Sequence, residues 1–143
     1  MAKTPVHLWL VGIISLIWNA GGAFAYVMTR TNSAEYLVAQ PPARLMMLEQ
    51  APIWFSVTWP LGVWMSVIGS LLLLIKSRYA SAAFGLSLLG LIGASIYTYG
   101  IAEGGSMVAA AGTAAIVFSF AIPIILVALW LYARAMTKRG VLR

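Results

Sequence analysis

Residues 53–75 read IWFSVTWPLGVWMSVIGSLLLLI, residues 76–79 read KSRY, and residues 80–101 read ASAAFGLSLLGLIGASIYTYGI. Two long apolar runs, both without Lys, Arg, Asp or Glu, are joined by a short connection carrying Lys76 and Arg78. A helix needs about 20 mostly apolar residues to cross a bilayer, and each run is that long. Barrel strands would show segments of roughly ten residues with alternating polarity. Continuous runs such as Leu71-Leu72-Leu73-Leu74-Ile75 favour helices instead. The tight Lys76–Tyr79 connection predicts that these two helices are antiparallel neighbours.

The same reading extends in both directions along the chain. Four spans are predicted, at about 6–28, 53–75, 80–101 and 107–133, forming a single domain. The expected fold is an all-α membrane protein, a four transmembrane helix bundle. Composition agrees, with 62% of the 143 residues hydrophobic and 8% charged, against about 25% charged in soluble domains. Lys3 followed by an apolar stretch and Ala23-Phe24-Ala25 imitates a signal peptide with its cleavage site. The apolar run is too long for a signal core, so a retained helix is expected.

Basic residues mark the cytoplasmic side of a membrane protein. Lys3, Lys76, Arg78, Arg134, Lys138, Arg139 and Arg143 fall on one side of the four-span arrangement. Arg30 and Arg44 fall on the other, with Glu35, Glu49 and Glu103. Both termini are therefore expected in the cytoplasm. So uneven a distribution argues against the dual topology of small multidrug transporters. Trp9, Tyr79, Trp130 and Tyr132 fit the inner interface, and Tyr26, Trp54, Tyr97 and Tyr99 the outer one. Trp18 and Trp64 fall near the midplane. The basic stretch Arg134–Arg143 is expected to touch anionic headgroups.

The first outer loop, residues 29–52, is the longest connection. Asn32-Ser33-Ala34-Glu35 resembles a capping box, and Pro42 suits the first position of another short helix. A short interfacial helix lying over the outer end of the bundle is expected there. Gly104-Gly105 is expected to supply positive φ to the outer turn after the third span.

Several function classes are excluded by composition. The formal charge is +6 and cysteine is absent, so disulfides, thiolate metal sites and cysteine nucleophiles fall away. The basic residues are separated by long apolar runs and form no basic face of a soluble fold, so no nucleic acid partner is expected. The chain has one His, three Glu and no Asp, too few for a Ser-His-Asp set or a metal-ligand cluster. His7, without a second His to complete a haem site, reads as an interfacial polar residue. Gly21-Gly22 lies inside an apolar helix and is not a phosphate loop. No catalytic chemistry, cofactor or metal is expected.

Within lipid, small residues let helices approach closely. Gly62, Ser66 and Ser70 line one face of the second span, Gly85 and Gly93 mark the third, and Ala111, Ala115 and Ser119 the fourth. These stripes suit packing within the bundle or within an oligomer. Asn19 is the most polar side chain well inside a span. Its depth matches Trp64, Gly90 and the Ser119–Pro123 region, where Pro123 leaves the Ser119 carbonyl without its helical donor. Asn19 reads two ways. It is a hydrogen-bonding link to Ser66, Ser87, Trp64 or the Ser119 carbonyl, or it belongs to a midplane polar pocket walled by Trp18 and Trp64 and suited to a neutral hydroxylated ligand. Pro60 and Pro123 are expected to kink their helices. Arg30, Arg44, Glu49 and Glu103 form a candidate outer rim, as ion pairs or as a solute-access site. No carboxylate lies within a span, so a proton relay has no obvious carrier.

The run His7-Leu8-Trp9-Leu10-Val11-Gly12, followed by Trp18-Asn19-Ala20-Gly21-Gly22-Ala23-Phe24-Ala25-Tyr26-Val27-Met28-Thr29, resembles a family of small four-span bacterial inner-membrane proteins. Gly62-Val63-Trp64, Gly69-Ser70-Leu71-Leu72-Leu73-Leu74 and the ending Lys138-Arg139-Gly140-Val141-Leu142-Arg143 extend the resemblance over nearly the whole chain. It implies a bacterial inner-membrane home, and some members of that family are labelled sugar transporters. The family pattern has an acid where this chain has Ala25, which weakens a proton-coupled reading here. The expected function is an accessory or interaction subunit without catalytic chemistry, surrounded by membrane lipids and packed against itself or a larger membrane protein complex. The alternative is a homo-oligomeric transporter of a small neutral solute such as a sugar, since four spans are few for a two-repeat transporter.

Overall fold

The computed structural model describes residues 3–143, and all of its regular structure is helical. The elements are α1 (Val6–Arg30), α2 (Ala34–Val38), α3 (Pro42–Glu49), α4 (Phe55–Leu74), α5 (Ala80–Ser95) continuing as a π-helical turn (Ile96–Ile101), α6 (Gly104–Ala111) and α7 (Thr113–Lys138). Four helices, Val6–Arg30, Phe55–Leu74, Ala80–Ile101 and Thr113–Lys138, are long and apolar enough to cross a membrane. Successive spans are neighbours: α1 packs on α4, α4 on α5, and α5 on α7.

The fourth span is shorter at its start than the hydropathy predicts. It begins at Thr113, and residues 104–111 form the separate helix α6. The break is Gly112, at φ 104° and ψ −178°, a backbone conformation that L side chains avoid. At the other end α7 runs on to Lys138. Pro60 and Pro123 lie inside α4 and α7 without ending them.

Three helices end in the same way, with a left-handed residue just past the last turn. After α1, the Asn32 amide (φ 52°) donates to the Thr29 carbonyl and the Ser33 amide to that of Met28. After α4, the Lys76 amide (φ 61°) donates to Leu73 and the Ser77 amide to Leu72. After α7, the Gly140 amide (φ 73°) donates to Thr137 and the Val141 amide to Met136. These paired bonds satisfy carbonyls that the last helical turn leaves open. Asn32 therefore terminates α1 and does not cap α2, which has Ser33 before it and no side-chain cap. Pro42 does sit in the first turn of α3.

The turn after the third span also departs from expectation. Positive φ falls on Glu103 (55°), not on Gly104 or Gly105. Gly104 is needed for proximity instead, because a Cβ there would lie 2.6 Å from the Thr98 carbonyl oxygen.

The core lies at the end of the bundle that carries Lys76 and Arg78. Leu8, Leu73, Ala80, Phe84, Leu129, Ala133 and Met136 are buried there together. The chain end joins them. Val141 and Leu142 are buried, the Arg143 amide donates to the Lys76 carbonyl at 2.9 Å, and the Arg78 amide donates to the Arg143 carbonyl at 3.0 Å. The 134–143 stretch is helix as far as Lys138, and the apolar pair Val141 and Leu142 plugs the bundle, while Arg134, Lys138, Arg139 and Arg143 stay exposed. His7 hydrogen-bonds Tyr132, tying α1 to α7 at the same end.

Backbone proximity sets the pairing of α4 with α5. A Cβ on Gly90 would lie 2.4 Å from the Gly62 nitrogen and 2.7 Å from the Thr58 carbonyl oxygen. A Cβ on Gly93 would lie 2.5 Å from the Thr58 methyl group. Gly85 plays a different part from the one its spacing with Gly93 suggests. It faces the Trp130 indole of α7 at an ordinary 3.4 Å. On α7 the contact face is Leu126, Leu129, Ala133 and Met136, while Ala111 is exposed and Ala115 and Ser119 are only half-buried.

Candidate functional site

Ser15 and Asn19, one helical turn apart, both face α4 from α1. The Ser15 hydroxyl donates to the Gly12 carbonyl at 3.1 Å and lies 2.9 Å from the Ser70 hydroxyl. Asn19 Nδ2 donates to the Ser66 carbonyl at 3.1 Å and to Ser70 Oγ at 3.0 Å. Because a carbonyl only accepts, these partners define which end of the amide is the nitrogen. A directed chain results, from Asn19 to Ser70 to Ser15 to Gly12. All the polar side chains in it are buried. Asn19 Oδ1 accepts no hydrogen bond among the described residues.

Asn19 also lines a cavity of about 710 Å³ with walls from all four spans. That volume lies within the usual range for small-molecule sites, about 300–1,000 Å³. On α4 the lining positions are Trp59, Gly62, Val63 and Ser66, one face of the helix. Ser87, Gly90, Leu91 and Ala94 line it from α5. Two hydroxyls of the wall are already committed to backbone: Ser87 donates to the Gly62 carbonyl at 2.6 Å, and Ser66 to the Val63 carbonyl at 2.7 Å. The remaining wall is mostly apolar and aromatic, with Trp18, Trp59 and Phe118 prominent.

The cavity reaches the surface between α1 and α7. Near mid-span the two helices meet through Trp18 and Phe118, whose ring centroids are 5.3 Å apart. Ile17, Gly21, Gly22 and Phe118 line the cavity and are also exposed. A side chain added at Gly21 or Gly22 would meet nothing within 4 Å. Toward the loop end, Tyr36 of α2 and Arg44 of α3 complete the lining. Arg30 sits over the rings of Tyr26 (5.6 Å) and Trp59 (5.8 Å), which pack edge to face at 5.0 Å.

The sequence-predicted site is brought together in part. Asn19, Trp18 and Ser66 meet at the cavity. Trp64 does not line it. Its ring is 40% exposed and lies edge-on to Tyr26 at 6.3 Å. A step of one residue turns a helix by about 100°, which carries Trp64 away from the face shared by Val63 and Ser66. Ser119 does not bond Asn19 either. Ser119 is not among the lining residues, and its neighbour Phe118 occupies the wall instead.

The outer rim is not one cluster. Arg44 belongs to the large cavity, whereas Glu103 lines a separate hollow of about 380 Å³ with Gln50 and Tyr97. Glu49 is exposed and lines neither hollow. Among the described residues none of the three Glu pairs with Arg30 or Arg44, and no group of three His, Asp or Glu converges. Sequence reasoning missed Trp59, Phe118, Tyr36 and the glycine pair. The one available signal was Gly21-Gly22 following Asn19 on the same span, two positions without side chains beside a buried amide. No protein-family model, curated protein or solved structure matches the chain.

Proposed function

We propose that this chain is a multi-pass protein of the bacterial inner membrane, with both termini in the cytoplasm, that binds a small molecule inside its helix bundle. In this reading it carries that molecule between the bilayer and the outer face. The orientation is supported by the clustering of Lys3, Lys76, Arg78 and the Arg134–Arg143 basic residues at one end. The bacterial setting rests on the family resemblance. The ligand-binding reading rests on one observation: a cavity of about 710 Å³, open sideways between α1 and α7, into which the buried Asn19 turns. The transport alternative is thereby favoured over a purely structural role for Asn19.

The accessory-subunit reading keeps one specific support. Ala109, Ala110, Ala111, Gly112 and Ala114 are all exposed around the α6–α7 break. Exposed small residues permit close approach of another membrane helix, from a second copy or from a larger complex.

Native mass spectrometry of the protein released from membranes tests both. The carrier reading expects one small molecule per chain in the wild type, absent from Gly22→Leu, which adds a bulky side chain at a lining position where a Cβ meets nothing within 4 Å. Identical adducts on both proteins would overturn it. A defined heteromeric mass without small-molecule adducts would favour the accessory role.

A further inference from the structure

We propose that the cavity takes a single-chain anionic amphiphile, with its carboxylate or phosphate head at Arg44 and its apolar body running inward past Gly21 and Gly22 toward Asn19. This rests on the ligand-binding reading above and names the class of ligand.

Charge gives the first argument. Arg44 is half-buried in the lining, and no Asp or Glu is among the lining residues. None of the three Glu forms an ion pair with it among the described residues. A guanidinium binds carboxylate or phosphate oxygens in two-pronged fashion. An anion there meets its opposite charge and no like charge, whereas a cationic head finds no carboxylate in the wall and meets the like charge of Arg44. Arg30, stacked on the Trp59 ring at 5.8 Å, adds positive potential near the same mouth.

Wall chemistry gives the second. A sugar presents many hydroxyls, and each needs a partner when buried. The Ser66 and Ser87 donors are spent on backbone carbonyls, and most of the remaining wall is apolar or aromatic. A polyhydroxylated solute would leave several groups unsatisfied. A chain with one polar end leaves none of its own groups unpaired, and the Asn19 oxygen is a wall acceptor that it does not satisfy.

Shape gives the third. The lining positions on α1 run from Ile17 to Ala25, which spans roughly 12 Å at about 1.5 Å per residue. The cavity is thus elongated along the helices. Its sideways opening at Gly21 and Gly22 faces the region where acyl chains lie. The volume suits one chain and not the two chains of a bilayer phospholipid.

The test uses the full chain in phosphatidylcholine vesicles, titrated with bromododecanoic acid or with the matching bromododecanol. Bromine quenches indole fluorescence at contact, and Trp18 and Trp59 line the cavity. Saturable quenching by the acid is expected, at least tenfold tighter than by the alcohol. Arg44→Gln should weaken the acid at least tenfold and leave the alcohol unchanged, while Arg44→Lys, which keeps the charge and loses the two-pronged contact, should fall between the wild type and Arg44→Gln. Gly22→Leu, and independently Gly21→Leu, should abolish the saturable component for both probes while melting as the wild type does. Equal affinity for acid and alcohol, both lost on filling the cavity, overturns the anionic assignment and leaves the ligand-binding reading standing. Quenching that neither filling variant changes overturns both.

Discussion

Asn19 and Ser70 are joined across α1 and α4 by a 3.0 Å hydrogen bond from the Asn19 amide nitrogen to the Ser70 hydroxyl. The bond holds the two helices in register, and it holds Asn19 so that its oxygen is left for the cavity. Interhelical hydrogen bonds in membranes average about 0.6 kcal/mol and reach about 1.7 kcal/mol. Ser70 serves both Asn19 and Ser15, so a value above the average applies. Asn19→Ala and Ser70→Ala should each lower stability by about 1 kcal/mol. Combined in a double-mutant cycle of unfolding in micelles, they should show coupling of about 1 kcal/mol. Strictly additive losses would mean that the bond does not form.

The two kinds of glycine in this bundle should respond oppositely to the same substitution. Gly90→Ala places a methyl group 2.4 Å from the Gly62 nitrogen, where the obstacle is backbone and only helix separation relieves it. Overpacking of this kind costs about 1–3 kcal/mol. Gly21→Ala meets nothing within 4 Å and gains helix propensity of about 1 kcal/mol. Melting temperatures in a mild detergent should therefore fall for the first and hold or rise for the second. The same sign for both would remove close backbone contact as the basis of the α4–α5 pairing.

Leu142 should matter more than its place one residue from the chain end suggests. It is 2% exposed, in the cluster with Leu8, Leu73 and Phe84. Truncating a buried leucine costs about 2–5 kcal/mol in a packed core, and Leu142→Ala is expected at the low end, about 2 kcal/mol. Hydrogen exchange gives an independent reading. The Arg143 amide, held by the Lys76 carbonyl at 2.9 Å, should be protected in the wild type and unprotected in Leu142→Ala. Rapid exchange of that amide in the wild type would show the tail to be undocked.

Much of this architecture is legible in the residues themselves, for a physical reason. Lipid thickness imposes span length, so 53–75 and 80–101 declare themselves by apolar length alone, and the four residues between them leave only an antiparallel pair. The α6–α7 break is not legible, because hydropathy does not change across it. Residues 107–111 and 113–117 are both apolar, and what separates them is the backbone at Gly112. Asn19 stands out as a polar group inside a span. Its partners do not, since depth matches it equally to Ser66 and Ser119. Which of them it meets depends on helix rotation, and rotation of α4 is set by the contact of Gly62 with Gly90. The aromatic wall has no signature, because Trp59 and Phe118 are ordinary residues in apolar runs.

Orientation is open to a direct test because the chain has no native cysteine. Ala39→Cys and Lys138→Cys both occupy exposed positions at opposite ends of the bundle. In intact cells a membrane-impermeant maleimide should label Ala39→Cys and spare Lys138→Cys until the membrane is opened. The reverse pattern would place Arg44 and the cavity mouth in the cytoplasm. Equal labelling of both would mean mixed insertion, which the uneven basic residues argue against.

The mouth of the cavity depends on a contact from the far side of the loop. Tyr97, 4% exposed in the π-helical turn, donates its hydroxyl to the Met47 carbonyl of α3 at 2.6 Å. Its ring packs against Phe55 at 4.9 Å. No residue of α3 is itself buried, so this bond is a principal anchor of the helix that carries Arg44. Tyr97→Phe keeps the ring and removes the bond. A typical hydrogen bond contributes about 0.5–1.5 kcal/mol, and the global loss should fall in that range. The local effect should be larger in kind: amides of residues 45–50 should exchange faster, while those of α4 and α5 hold. With Arg44 less firmly placed, affinity for the acid probe should drop and affinity for the alcohol should not. Unchanged exchange across α3 would show that something other than Tyr97 holds Arg44 at the cavity.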